Sequence, residues 1–365
     1  MYWEMDQSGH EKDLKCISDY LLSFFAFAAG TASTSFVKTE WLAFAGADGK
    51  WLFELYEKDA ANGAAMRQAI RQLFRLPVSE RQKIYRAIAH DMTFEQNRTV
   101  AFEFQSIEPH LKSEQCKIIK DFFLYFYEVA LCSAHIQLSG LSRHSFNREE
   151  LTKIFFAGKN RSLLQNCPIC LQTVTNSERE EDAEHYFGKA DVPCLALHPY
   201  NLYFSCKSCN QVYKGRKSPL KNGPDLRKVF LPYLDVVKQK TKLEFYHEEK
   251  QDGLRIRPAN VAEPYIFEKI EAFDQLFKLE ERWSGMLKRY YLTLRKDYEG
   301  ESFETTDDLK ALMKADIKRA KRKCSVRPEQ YLETKYQEWI SDRQLKAFYS
   351  ELKHRGRKAV TDTEA

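Results

Sequence analysis

Two pairs of cysteines constrain this 365-residue chain more than any other feature of its sequence. Cys167 and Cys170 form one CxxC pair, and Cys206 and Cys209 form a second pair a few tens of residues later. Pairs at this spacing are typical of a tetrahedral Zn²⁺ site with four cysteine ligands. Because the protein would occupy all four positions, such an ion would be structural and would not bind substrate. The alternative is that these cysteines are reduced residues of a core.

The other cysteines and the apolar segments indicate a folded protein of a reducing compartment. Hydrophobic residues make up 43% of the chain, which excludes a disordered tail. The most apolar stretch, 20–29, is too short for a membrane span and follows acidic residues, so we interpret it as a buried helix and not a signal peptide. We therefore expect a cytoplasmic protein with no membrane partner. The five cysteines outside the pairs are scattered: Cys16, Cys116, Cys132, Cys194 and Cys324.

The N-terminal part of the chain has the periodicity of helices. Apolar residues recur at three- and four-residue spacing over 1–158, which predicts an N-terminal helical domain. Asn147 followed by Glu150 predicts a helix start, and the segment 116–138, apolar on more than one face, predicts a central core helix.

The C-terminal part, 223–365, predicts a mainly helical region with one small hairpin. Two alternating segments, 242–247 and 254–257, flank a predicted turn at Gln251-Asp252-Gly253. Helical patterns then cover 266–298, 307–323 and 328–354.

Between and beside the cysteine pairs lies an ordered set of acidic, histidine and asparagine residues. Glu184 and His185 come first, Asn201 follows, and Asn210 comes directly after the second cysteine pair. This order resembles the HNH family, the ββα-metal nucleases. The family pattern has an acidic residue and a histidine on the first strand, an asparagine in the loop or second strand, and an asparagine or histidine on the helix. The resemblance is confined to residues 167–214.

The resemblance implies both a fold and an activity. The fold class is α+β and predominantly α-helical, with a small ββα-metal HNH module and its four-cysteine zinc site at residues 159–222, between the two helical regions. The activity is metal-dependent hydrolysis of DNA phosphodiester bonds. Two positions depart from the family pattern: Glu184 replaces the usual aspartate, and Gly188 stands where a proline is frequent.

Each motif residue has a chemical role in this hypothesis. His185, whose ordinary pKa is near physiological pH, is the candidate general base that activates water. Glu184 and Asn210 offer oxygen ligands suited to a catalytic Mg²⁺ or Mn²⁺, and the resemblance implies that this ion stabilises the leaving 3′ oxygen. The resemblance also implies that Asn201 fixes the loop that orients His185.

Structural alternatives exist for all four motif residues. His185 could be a core or surface histidine, and Glu184 could be a solvated acid that ends the acidic run 178–184. Asn210 could cap a helix, and Asn201 could be an ordinary turn residue.

Basic residues near the second cysteine pair are candidate DNA contacts. Lys214, Arg216 and Lys217 predict a phosphate-binding edge, to which His198 would contribute weakly. A solvated basic turn and a structural histidine before Pro199 are the alternatives. A second basic cluster lies at 314–327, where it could follow a nucleic-acid backbone or form a solvated helix face. The net charge of +5 is too small to indicate nucleic-acid binding by itself.

The string from Glu184 to Lys214 is most similar to HNH proteins of bacterial anti-phage systems, such as the nuclease subunit of the Septu system. That resemblance implies a partner ATPase subunit in a defence complex. Three alternatives remain: a non-catalytic zinc-ribbon module that binds nucleic acid or protein, a restriction, homing or toxin HNH nuclease that acts alone, and an enzyme that cuts RNA.

Overall fold

The computed structural model of this protein is predominantly helical and contains two antiparallel strand pairs. This confirms the predicted α+β class at the level of secondary structure. Among the described residues, no helix combines the length and the apolar character needed to cross a membrane. The structure describes residues 1–57, 64–98, 101–103, 113–134, 136–143, 146–174, 183–220, 223, 225–299, 301–324 and 327–363.

The described N-terminal part is built from seven helices. They are α1 Glu11–Gly30, α2 Lys38–Ala45, α3 Gly49–Glu57, α4 Ala64–Arg75, α5 Val78–Asp91, α6 Ser113–Tyr125 and α7 Arg148–Phe155. α6 continues as a π-helical segment, Phe126–Ala134, so the predicted core helix is confirmed with a change of helix type. The predicted helix start is also confirmed, because the Asn147 side chain accepts a hydrogen bond of 2.9 Å from the Glu150 N–H.

Aromatic side chains hold these helices together. α1 packs against α5, and α4 packs against α6. Phe24 stacks on Phe122 with ring centroids 4.9 Å apart, and Phe25 stacks on Phe123 at 5.3 Å. Burying one such side chain contributes about 1.5–3 kcal/mol, so a row of them makes a rigid support for the segments that follow.

The middle of the chain contains the first strand pair. β1, Glu184–His185, pairs antiparallel with β2, Leu202–Tyr203. A short π-helical segment, Ser208–Lys214, follows β2 and is called the 208–214 helix below. The chain order is therefore strand, loop, strand and helix, with the second cysteine pair at the junction of β2 and the helix.

The C-terminal part has a hairpin followed by long helices. Its elements are α8 Val237–Lys240, β3 Thr241–Glu248, β4 Gln251–Pro258, α9 Ile266–Phe277, α10 Leu279–Glu299, α11 Thr306–Cys324, α12 Gln330–Trp339 and α13 Leu345–Thr363. One predicted helix, 266–298, is in fact two. Lys278 adopts a left-handed conformation, φ 52°, which ends α9 before α10 begins.

The hairpin turn lies two residues earlier than predicted. The turn residues are Glu249 and Lys250, with φ of 51° and 66°, and not the Gln251-Asp252-Gly253 segment. Gly253 is inside β4, directly opposite Tyr246, and a Cβ at this position would collide with the tyrosine ring. The glycine therefore serves cross-strand packing, and two residues with side chains carry the left-handed turn.

The core runs through all three predicted segments. The rings of Tyr2 and Trp283 meet at 4.7 Å, and the Met1 carbonyl accepts a hydrogen bond of 3.0 Å from the Val237 N–H. One hydrophobic cluster contains residues from 1–158, 159–222 and 223–365. The central segment therefore packs on both flanks, and the start of the chain packs against its C-terminal part.

The geometry of the β3–β4 hairpin predicts opposite effects on stability when glycine is introduced at position 250 and when it is removed from position 253. We expect Lys250→Gly to raise the free energy of unfolding by roughly 0.5–1 kcal/mol, because glycine adopts a left-handed conformation without a Cβ clash. Gly253→Ala should lower it by about 1 kcal/mol through displacement of the Tyr246 ring. Chemical denaturation of the full chain measures both, and destabilisation by Lys250→Gly would contradict this account.

Candidate functional site

The four cysteines of the two CxxC pairs converge on one point. Their sulfur atoms all lie within 4.8 Å of one another, and all four residues are buried. The Sγ atoms of Cys167 and Cys209 are 3.8 Å apart, and those of Cys170 and Cys206 are 3.9 Å apart. A tetrahedral Zn²⁺ with bonds of about 2.3 Å requires sulfur separations of about 3.8 Å. The donor set and its dimensions therefore fit a structural zinc ion.

Backbone geometry around the first pair shapes this cluster. Leu171 adopts a left-handed conformation with φ 63°, and its N–H donates to the Cys167 carbonyl at 2.9 Å. The Cys206 N–H points at the Cys167 sulfur at 3.5 Å, and the Cys209 N–H points at the Cys206 sulfur at 3.4 Å. Such N–H groups stabilise negative charge on thiolate ligands.

Two neighbouring residues of α10 support the cluster from the C-terminal part. Arg282 Nη1 donates to the Cys209 sulfur at 3.3 Å, and the guanidinium lies over the Tyr213 ring at 4.1 Å. Burial would lower the pKa of Arg282, yet the charges of Cys209 and Cys170 raise it above its ordinary value. Trp283 Nε1 donates to the Cys170 carbonyl at 3.0 Å. Sequence reasoning missed both residues, because no local pattern marks them.

Asn201 closes the loop between β1 and β2. Its fully buried amide accepts from the Phe187 N–H at 2.7 Å and donates to the carbonyls of Phe187 and Leu195 at 3.2 and 3.0 Å. The backbone carbonyl of Asn201 accepts a hydrogen bond of 2.9 Å from the Tyr186 N–H. One side chain therefore joins both ends of the loop that follows His185.

Gly188 occupies a tight part of the same loop. Its carbonyl accepts from the N–H groups of Asp191 and Val192 at 2.9 and 3.0 Å. A Cβ at position 188 would lie 2.9 Å from an Asp191 carboxylate oxygen. Because this atom is the end of a side chain, a larger residue at position 188 would require the Asp191 carboxylate to move.

His185 is buried at the start of this loop, with 7% of its surface exposed. Its Nε2 lies 3.0 Å from the Ala196 carbonyl, which only accepts hydrogen bonds, so Nε2 carries the proton and Nδ1 has the lone pair. Burial lowers the pKa of His185 to about 3, the Ala196 hydrogen bond opposes this, and the positive charges of Lys189, Lys214 and Arg148 lower it further. The imidazole is therefore neutral at physiological pH.

The other two proposed catalytic residues lie on β1 and on the 208–214 helix. Glu184 is half-buried and lies opposite Tyr203 in the strand pair. Asn210 is half-buried inside the helix, whose N-cap is Lys207, so it is not the capping residue. Lys214, four residues further on, is 5% exposed, and the carboxylates of Glu184 and Asp191 oppose the lowering of its pKa by burial. The helix thus presents its Lys214 face towards β1.

The remaining predicted DNA contacts differ in exposure. Arg216 and Lys217 are exposed at the end of the 208–214 helix. His198 is 2% exposed, with Nε2 at 3.1 Å from the Met92 carbonyl and Nδ1 at 3.4 Å from the Tyr200 N–H. Both of its ring nitrogens face backbone groups, which is the geometry of a core histidine. Of the acidic run 178–184, residues 178–182 lie outside the described residues.

The second basic cluster lies on an exposed face of α11, and its last residue, Arg327, follows the helix. Two of its cations form ion pairs, Arg319 with Asp316 and Lys321 with Glu338. The exposed basic residues are Lys314, Lys318, Arg319, Lys321, Arg322, Lys323 and Arg327. This face is therefore accessible to a polyanion.

Comparisons with known proteins give no relative of this chain. No family model matches it, and no curated protein or solved structure is significantly similar. The functional interpretation therefore depends on the motif and on the site geometry.

The cysteine cluster predicts the metal content of the protein. Purified full-length chain should contain one Zn²⁺ per molecule, and Cys209→Ser should lose the ion and roughly 4 kcal/mol or more of unfolding free energy. Cys194→Ser, at a buried cysteine outside the cluster, is the control and should keep its zinc. Elemental analysis with thermal denaturation tests this, and full zinc retention by Cys209→Ser would contradict it.

The Arg282 contact predicts a smaller and specific effect on the same ion. Arg282→Met keeps much of the apolar stem but removes the donor to Cys209, so zinc affinity should fall roughly tenfold. Arg289→Met, at an exposed position of the same helix, should leave zinc affinity unchanged. Competition with a chromophoric chelator measures both, and identical affinities would remove Arg282 from the account of the metal site.

Proposed function

We propose that this chain is a metal-dependent endonuclease of the HNH type that hydrolyses DNA phosphodiester bonds. The observation that carries the proposal is the state of His185. The neutral imidazole of His185 is held by a hydrogen bond from Nε2 to the Ala196 carbonyl. His185 lies on the β1–β2 strand pair, and β2 is followed by the 208–214 helix, which contains Cys209. The order of strand, loop, strand and helix is the order that the HNH resemblance implies.

His185 acts as the general base in this proposal. Its Nδ1 accepts the proton of the attacking water, because Nε2 is already protonated and held by Ala196. Among the described residues, none forms a hydrogen bond to Nδ1, so this nitrogen is left for water. Asn201 is a positioning residue that fixes the loop carrying Ala196 relative to β1.

Glu184 and Asn210 would hold the catalytic ion. A carboxylate and an amide oxygen are suitable donors for Mg²⁺ or Mn²⁺, and both side chains are half-buried. Lys214 lies four residues after Asn210, and the charge of the Glu184 carboxylate acts on it by opposing the lowering of its pKa by burial. When bound, the ion supplies Lewis-acid stabilisation of the leaving 3′ oxygen.

The setting that we propose is bacterial anti-phage defence with a partner ATPase subunit. The similarity of the Glu184–Lys214 segment to HNH proteins of such systems supports it. Copurification of an ATPase with the full chain, expressed beside its neighbouring genes, is the test. An active nuclease that purifies alone would favour the restriction or toxin alternative.

A second candidate function is a zinc-ribbon module that binds nucleic acid without cutting it. The exposed basic face of α11 favours this alternative, because phosphate contacts alone give sequence-independent binding. Such a protein would bind DNA in a salt-dependent way and show no metal-dependent cleavage.

The proposed base predicts a large loss of activity on one substitution. His185→Ala should lower the cleavage rate of plasmid DNA in Mg²⁺ or Mn²⁺ by roughly 10²–10⁴-fold, because water would lose its proton acceptor. His247→Ala, at a histidine 51% exposed on β3, is the matched control and should cleave as the wild type does.

Both variants must have the same zinc content and the same melting temperature as the wild type, because only then does a change in cleavage rate report on the substituted side chain. Equal cleavage by His185→Ala and the wild type would remove the proposed base. Binding without cleavage by the wild type in either metal would favour the zinc-ribbon alternative.

A further inference from the structure

The hydrogen-bond pattern of the β3–β4 hairpin defines which backbone groups face outward. The Ala259 N–H donates to the Lys240 carbonyl at 2.9 Å, directly beside the register pair of Thr241 and Pro258. In an antiparallel ladder, hydrogen-bonded pairs alternate with pairs whose backbone groups point away from the partner strand. The odd-numbered residues of β3 and the even-numbered residues of β4 therefore direct their N–H and C=O groups to the outer edges of the hairpin.

Side chains of α10 satisfy the outer edge of β4. The Leu254 N–H donates to the Ser284 hydroxyl at 3.0 Å, and the Ile256 N–H donates to a Glu280 carboxylate oxygen at 2.6 Å. An edge whose donors are already bonded in this way does not offer them to another strand. The β4 edge is therefore closed.

The outer edge of β3 lacks this protection. Leu243, Phe245 and His247 present its outward backbone groups, and no described residue forms a hydrogen bond to those groups. All three residues are exposed or half-buried, and β3 is 8 residues long. A strand edge of this length with unpaired N–H and C=O groups is a template for pairing with another strand.

The charges of β3 indicate which strand would fit this edge. The Phe245 side chain packs on Tyr336 and Trp339 of α12, so the even-numbered side chains lie on the opposite face of the hairpin. On that face, Lys242 near the start of β3 and Glu248 at its end are both exposed. A second β3, paired antiparallel and centred on residue 245, would place each of these lysines opposite a glutamate of the other copy.

Other registers that align the outward groups fit less well. Centring the pair on Glu244 would bring two Glu244 carboxylates together, and centring it on Tyr246 would place Glu244 opposite Glu248. Centring it on Leu243 would use the outward groups of Thr241, which is only 5% exposed. The register centred on residue 245 therefore combines opposite charges with accessible backbone groups.

We propose that the outer edge of β3 is a dimer interface, at which a second copy of this chain adds its own β3 antiparallel and centred on Phe245. The two hairpins then form one four-stranded sheet, joined by roughly six hydrogen bonds between the outward groups. A twofold axis at Phe245 brings the same surface of both copies together, as closed dimers require. Charged side chains on an edge oppose pairing with most strands, and here they favour a strand of complementary charge. This inference goes beyond the proposed nuclease activity and does not depend on it.

The test exchanges the charges at the two ends of β3. Lys242→Glu should raise the dimer dissociation constant of the full chain roughly tenfold, because carboxylates would then face carboxylates at both ends of the pairing. Combining Lys242→Glu with Glu248→Lys should restore most of the wild-type affinity, since opposite charges meet again. Lys288→Glu is the matched control, because it makes the same charge change at an exposed position of α10 and should leave the constant unchanged. Sedimentation velocity over a concentration series measures all four proteins.

Hydrogen exchange locates the contact. Dimer formation should slow exchange at the amides of Leu243, Phe245 and His247, whereas the amides of Leu254 and Ile256 should be unaffected because α10 already binds them.

Three results would overturn the proposal. The first is a wild type that remains monomeric up to roughly 0.1 mM, well above the micromolar dissociation constant of a weak specific interface, even if the edge then binds another protein. The second is a dimer with the same dissociation constant in Lys242→Glu as in the wild type, which would place the contact on another surface. The third is a charge-exchanged double variant that dimerises no better than Lys242→Glu, which would exclude this register. None of these measurements uses cleavage, so the nuclease proposal and the dimer proposal fail separately.

Discussion

Four buried cysteine sulfur atoms close to one another are the constraint on which the site depends. Neutral thiols gain little from such contact, whereas thiolates around a divalent ion are each bound and further stabilised by N–H donors. Cys209 lies in the first turn of the 208–214 helix and Cys206 lies two residues before the helix, so the ion that we expect there would fix the helix against the first cysteine pair. The position of Asn210 and Lys214 relative to β1 then follows from the cluster.

The environment of His185 disfavours the protonated form of its imidazole. His185 is buried, held by a carbonyl and surrounded by positive charge from both the motif segment and the helical flank. A phosphodiester in this position would offset that charge, so anion binding and proton acceptance would support one another. Tyr127, whose ring centroid is 4.4 Å from that of His185, and Asn210 both lie in π-helical segments, a rare geometry that is frequent at functional sites.

Local sequence signals predicted local structure well and distant contacts poorly. The cap at Asn147 followed from the spacing to Glu150, which is a local signal. The convergence of the cysteine pairs is a distant contact that could still be predicted, because one Zn²⁺ takes four cysteine ligands and each CxxC pair offers two. The hairpin turn was misplaced because Gly253 resembles a turn glycine, while its role is to leave room for Tyr246. Arg282 could not be predicted as a residue of the cysteine cluster, since tertiary packing brings it from a distant helix to Cys209.

The left-handed Lys278 has a mechanical consequence for the C-terminal part. It ends α9 and lets α10 begin as a separate helix. The first turn of α10 contacts both β4 and the cysteine cluster. Glu280 accepts the Ile256 N–H of β4 at 2.6 Å, while Arg282 reaches the sulfur of Cys209. Loss or exchange of the ion would therefore be transmitted along a single helical turn to β4 of the hairpin.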